Sequence, residues 1–146
     1  MSLLIVGTSL LLNKSLSPLK QAKNETINLA EKKAGLAEAK DFYWYNGNDT
    51  YFTVTGKAKD GQNLIIIVKQ DDGSIQSIEQ KGTFSKAEAI NKVRELEEPA
   101  RILEARIGIH NALPIWEVSF RQEDGLIGYT MLSLATGEWV RTIKNI

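Results

Sequence analysis

Residues 115–137 read IWEVSFRQEDGLIGYTMLSLATG. Trp116, Val118 and Phe120 alternate with Glu117 and Ser119, the period of two that marks a strand with one buried face. Asp124-Gly125 then reverses the chain, Ile127 to Leu134 runs back along it, and Thr136-Gly137 turns it once more. Sixty-four positions upstream the same punctuation recurs. Lys59-Asp60-Gly61 falls on Glu123-Asp124-Gly125, Gly73 on Gly137, Val54 on Val118, and the breaker Gly35 on the breaker Pro99. A match of turn residues without a gap across half a chain describes one supersecondary unit built twice.

Outward from that core, each copy reads as a helix followed by four strands. Ser17-Pro18 has the form of an N-cap with proline at the first helical position, and Leu19, Ala22, Thr26, Leu29 and Ala30 trace a helical stripe to Gly35. Strand-like runs follow at Ala39–Tyr45, Tyr51–Lys57, Leu64–Lys69 and Ile75–Gln80, divided by Asn46-Gly47-Asn48-Asp49, Asp60-Gly61 and Asp71-Asp72-Gly73. In the second copy Ser85 and Glu88 form a capping box, with Phe84 and Ala89 placed as a hydrophobic staple, and the helix runs on to Pro99. Strands are then expected at Leu103–His110, Ile115–Arg121, Ile127–Leu134 and Trp139–Lys144. Each antiparallel sheet should have one apolar face, covered by its helix.

The offset of 64 also transfers faces between copies. Ile107 and Ile109 are apolar where Arg106 and Gly108 are not, which assigns Tyr43 and Tyr45 inward and Phe42 and Trp44 outward. Phe52, opposite Trp116 in the repeat, is assigned to the core. The helices match less well: Ile90 meets Thr26 and Leu96 meets Lys32, so they are expected to bury different surfaces. Phe42 and Trp44, two large aromatics projected from one strand, are the candidate partner-binding residues. The competing reading packs them under the first helix or against the other copy.

Composition narrows the function classes. The 146 residues carry 18 basic and 18 acidic side chains, a formal charge of zero, so the phosphate neutralisation that drives nucleic-acid binding has no source here. There is no cysteine, which removes disulfides, thiolate nucleophiles and cysteine zinc sites. His110 is the sole histidine and falls before Pro114 in a turn, where no further ligand or catalytic partner has a readable spacing. No serine sits in a nucleophile elbow, Asp71-Asp72 and Glu97-Glu98 read as turn and surface charge, and the glycines form no phosphate loop. The expectation is therefore no catalytic site, no metal and no cofactor.

At the N-terminus, Leu3 to Leu12 reads LLIVGTSLLL, ten uncharged residues where a spanning helix needs about 20. This stretch, within residues 1–16, is read as the outer half of a membrane anchor, with a short buried helix or strand as the alternative.

Trp116-Glu117-Val118, Gly128-Tyr129 and Ala135-Thr136-Gly137-Glu138 together resemble the PepSY pattern: a WEV strand, an aromatic third strand and a TG turn before the last strand. Two such modules behind an apolar segment look like the TseB-like family of Gram-positive bacteria, extracytoplasmic membrane-anchored proteins linked to cell-wall elongation. The resemblance implies an α+β chain of two tandem cystatin-like (PepSY-like) modules, residues 17–81 and 82–146, each one helix on a four-stranded antiparallel sheet. It further implies a non-enzymatic regulator at the cell membrane whose protein partner is an elongation penicillin-binding protein. Two other functions remain open at this point: a PepSY-type peptidase inhibitor or modulator, and a small-molecule-binding cystatin-like domain with an acid in an apolar cavity.

Overall fold

The computed structural model describes residues 17–144. The apolar stretch read as an anchor lies outside these residues. Within them the chain is α+β: helix α1 (Pro18–Ala34) and strands β1 (Leu36–Asn46), β2 (Thr50–Ala58), β3 (Asn63–Lys69) and β4 (Ile75–Glu79) precede helix α2 (Lys86–Glu97) and strands β5 (Arg101–His110), β6 (Leu113–Arg121), β7 (Ile127–Ser133) and β8 (Trp139–Ile143). The strands form two antiparallel meanders, β1-β2-β3-β4 and β5-β6-β7-β8.

The helix ends follow from their caps. Ser17 accepts from the Lys20 N–H, and Gly35 closes α1 in the left-handed conformation with φ 74°. Ser85 and Glu88 make a complete capping box at α2, whereas its left-handed C-cap at φ 47° is Glu98, ahead of Pro99. The caps Gly35 and Glu98 are thus 63 positions apart, not 64. The buried helical residues keep the same spacing: Thr26 and Ala30 in α1, Ala89 and Val93 in α2. Contrary to the expectation from the sequence, the two helices bury corresponding surfaces.

The missing position is in the first hairpin. Three residues, Gly47 to Asp49, separate Asn46 from Thr50, while four, His110 to Leu113, separate their counterparts Ile109 and Pro114. From β2 onward the offset is 64, since Tyr51 pairs with Lys69 where Ile115 pairs with Ser133. A slip of one residue turns every side chain of a strand over. Trp44, opposite Phe52, therefore corresponds to Ile107, opposite Trp116, and Tyr45 corresponds to Gly108. This corrects the assigned faces. Phe42 and Trp44 lie on the α1 side of the first sheet, and Tyr43 and Tyr45 lie on the other.

That other side is also covered, which the expectation of one apolar face did not anticipate. Residues 52–56 and 64–68 are buried without alternation. Val54, Leu64, Ile66 and Val68 pack with Ala30 and Leu36 under α1. Ile65 and Ile67, facing away from α1, join Val93, Ile107, Trp116, Val118 and Phe120 in one cluster with α2 and the second sheet. Edge strand β5 thus butts onto the face of the first sheet. The Thr53 hydroxyl donates to the Ile107 carbonyl at 3.2 Å, so this buried edge keeps a hydrogen-bond partner.

Tyr45 forms the second half of the seam. It is 1% exposed and packs with Ile115 and Met131 on the face of the second sheet turned away from α2. A Cβ on Gly108 would fall 2.2 Å from the Tyr45 ring, and one on Gly47 would fall 2.7 Å from it. Both positions are therefore bare because the ring lies between them. Burial pushes the Tyr45 phenol up to about 12, with the charge of Glu117 adding to the effect.

Candidate protein-interaction site

Beneath the N-terminal turns of α1, the helix and the first sheet part to leave an open groove of about 360 Å³. Its helix wall is formed by Pro18, Gln21, Ala22, Glu25 and Leu29, and its floor by Trp44, Phe52 and Val68. Gly73, in the β3–β4 turn, lies at one end beside Lys69 and Gln70. Thr26 and Phe52 are buried, Leu29 and Trp44 half-buried, and Gln21 and Glu25 exposed, so the groove has an apolar floor and a polar rim. On that rim the Gln21 amide donates to the Glu25 carboxylate at 3.2 Å.

The aromatic rings are held by one another. Phe52 stacks on Phe42 with centroids 6.1 Å apart and meets Trp44 edge to face at 5.1 Å. The Trp44 indole N–H donates to the Asn46 side chain at 3.3 Å, which fixes the ring against the floor. The structure therefore brings Phe42 and Trp44 to opposite sides of Phe52. Trp44 lines the groove; Phe42 lies beyond it. Sequence reasoning missed Phe52, Leu29 and Gly73 as groove residues because it read them as a core position, part of a helical stripe and a hairpin turn, with no space left between helix and sheet.

Among the described residues, the notable titratable groups are engaged locally. His110 ends β5 half-buried, its Nε2 3.3 Å from the Asn111 amide. Glu97, nearly buried at the end of α2, receives the Thr142 hydroxyl at 3.1 Å and the Lys144 ammonium at 2.9 Å. Its lone pairs are thus taken up within the second unit. Glu117 is shifted upward by burial, which the Arg106 charge partly offsets. Among the described residues no three His, Asp or Glu side chains converge as metal ligands. None of the described helices is long and apolar enough to cross a membrane.

Residues 25–69, which span most of α1 and β1 to β3, match the family model of the cell wall elongation regulator TseB-like domain. What resembles a TseB-like domain is that stretch of the chain. It contains the inner wall and floor of the groove, from Glu25 to Lys69. Among solved structures, the YpmB protein from Bacillus subtilis is similar in fold: the TM-score is 0.75 at 22% sequence identity, covering 83% of this chain and 95% of that one. The fold likeness thus reaches past the matched residues 25–69 into the second unit. No curated protein matches the chain.

Proposed function

We propose that this chain is a non-catalytic regulator of cell-wall elongation that acts by binding another protein. The observation that carries this reading is the likeness of residues 25–69 to the cell wall elongation regulator TseB-like domain. On this reading residues 17–81 and 82–146 are two cystatin-like (PepSY-like) modules, residues 1–16 contribute to a single-pass membrane anchor, and the modules stand outside the cytoplasmic membrane. The partner is an elongation penicillin-binding protein. Its contact includes the Phe42 and Trp44 region, where half-buried aromatics offer apolar area beside a polar rim.

The test is crosslinking in living cells with a photoreactive amino acid in place of Leu19, which is 51% exposed on α1 beside the groove. Capture of a penicillin-binding protein, lost in the Phe42→Ala/Trp44→Ala double variant at equal protein abundance, is the expected result. Unchanged cell shape and growth on deletion of the gene, together with no capture of any cell-wall synthase, would sink the proposal.

A further inference from the structure

The second unit shows what fills this groove when it is filled. Gly137 is the counterpart of Gly73, both with φ near 75°. A Cβ on Gly137 would meet the ring of Phe84 at 2.3 Å, whereas one on Gly73 would meet nothing within 4 Å. Phe84 enters from the segment just before α2. Its N–H donates to the Leu134 carbonyl at 2.8 Å, and its own carbonyl accepts the Trp116 indole N–H at 2.8 Å. The Lys92 ammonium lies 5.8 Å from the ring centroid and donates to the Gly137 carbonyl, closing the site from the helix side.

In the first unit helix α1 starts five residues earlier relative to the repeat. Gln21 of the helix stands where Phe84 stands, and Phe52 stands where Trp116 stands. The chain therefore cannot lay an aromatic residue over Gly73 from the same direction. What remains is the open groove of about 360 Å³. An apolar cavity of roughly 150 Å³ already admits a benzene ring.

We infer that the α1 groove receives one aromatic side chain from an extended segment of a partner protein, seated over Gly73 as Phe84 is seated over Gly137. The segment's backbone N–H meets the Gln70 carbonyl, the counterpart of the Leu134 carbonyl. Trp44 and Phe52 flank the ring, and Leu29 covers it. This inference deepens the reading of the chain as a protein-binding regulator and rests on it for the existence of a partner. The recognition chemistry itself comes from the repeat.

The test is a titration of the full chain with the capped tripeptide Thr-Phe-Ser, the sequence of residues 83–85, followed by NMR. The Gly73 amide and the Trp44 indole N–H should shift saturably, with a dissociation constant on the order of 1 mM, which is what one buried ring and one hydrogen bond can supply. Capped Thr-Ala-Ser should bind at least about tenfold more weakly. Ala22→Phe, which fills the groove from the helix, should abolish the shifts, and Trp44→Ala should weaken binding about tenfold should the first variant misfold. Equal shifts with both peptides, or none at Gly73, would overturn the inference. So would contacts in the free chain that place residues before Ser17, or a second copy of the chain, against Trp44 and Gly73. Capture of a penicillin-binding protein by Ala22→Phe at the unvaried level would reject the groove while leaving the regulator reading intact. Peptide binding without any such capture would do the reverse.

Discussion

Tyr45 and Gly108 hold corresponding positions in the repeat and touch one another, so the seam between units depends on one copy having a large side chain where the other has none. Gly108→Ala should cost about 1–3 kcal/mol through overpacking, and Tyr45→Ala about 3–5 kcal/mol through the cavity it leaves, both read by urea denaturation. Thr53→Val should cost about 1–3 kcal/mol, since it leaves the Ile107 carbonyl of a buried sheet edge without its donor. An unchanged denaturation midpoint in that variant would mean that the carbonyl finds another partner. Glu117 carries a pH signature. Its folded-state carboxyl is raised by burial, so its contribution favours the folded state below the ordinary carboxylate range and is lost as pH rises through the raised value. Glu117→Gln should therefore melt higher than the parent at pH 7, and the gap should close near pH 3.5. An equal gap at both pH values would show that the amide acts through packing instead.

The elements were legible because their signals are local. The capping box at Ser85 and Glu88, the proline at the first turn of α1 and the Asp-Gly turns each specify backbone within a few residues. Ser85→Ala should cost about 1 kcal/mol in thermal unfolding, consistent with the loss of one cap. Asn111 and Ala112 both take positive φ, 49° and 67°, in the two-residue β5–β6 hairpin. Ala112→Gly should stabilise by roughly 1 kcal/mol, because alanine is strained there; a loss of stability would show that chain entropy outweighs the strain. The faces of β1 were not legible. Composition gives no measure of how many residues a hairpin loop holds, and one residue fewer between Asn46 and Thr50 than between Ile109 and Pro114 puts Trp44 in place of Tyr45 on the α1 side. The candidate pair Phe42 and Trp44 was visible as aromatic residues on one strand. The groove beside them was not, because it depends on Gln21 standing where Phe84 stands. The continuous run Leu64 to Val68 was the sequence signal that the first sheet is covered on both sides.

At the scale of the molecule, the two units share a core instead of each enclosing its own. Ile65 and Ile67 of the first sheet pack in the same cluster as Val93 of α2 and Phe120 of β6. Unfolding should consequently be one transition, with fluorescence and circular dichroism tracing the same curve. Two separated transitions would show that each unit is stable alone. With β5 set against the first sheet, the remaining edge strands are β4 and β8, five residues each, and β1, eleven residues long with Ala37 to Asp41 exposed. The short, largely polar edges of β4 and β8 resist pairing between molecules.

The tyrosine seam constrains how the gene can be divided. A product ending near Lys81 would present Tyr45, Ile65 and Ile67 to water as a sticky sheet, and one beginning there would lay bare Ile115 and Met131. Neither piece should remain monodisperse in light scattering, whereas mixing the two should restore a soluble pair. Recombination that exchanged one half among distant relatives would have to carry the large and the absent side chain together.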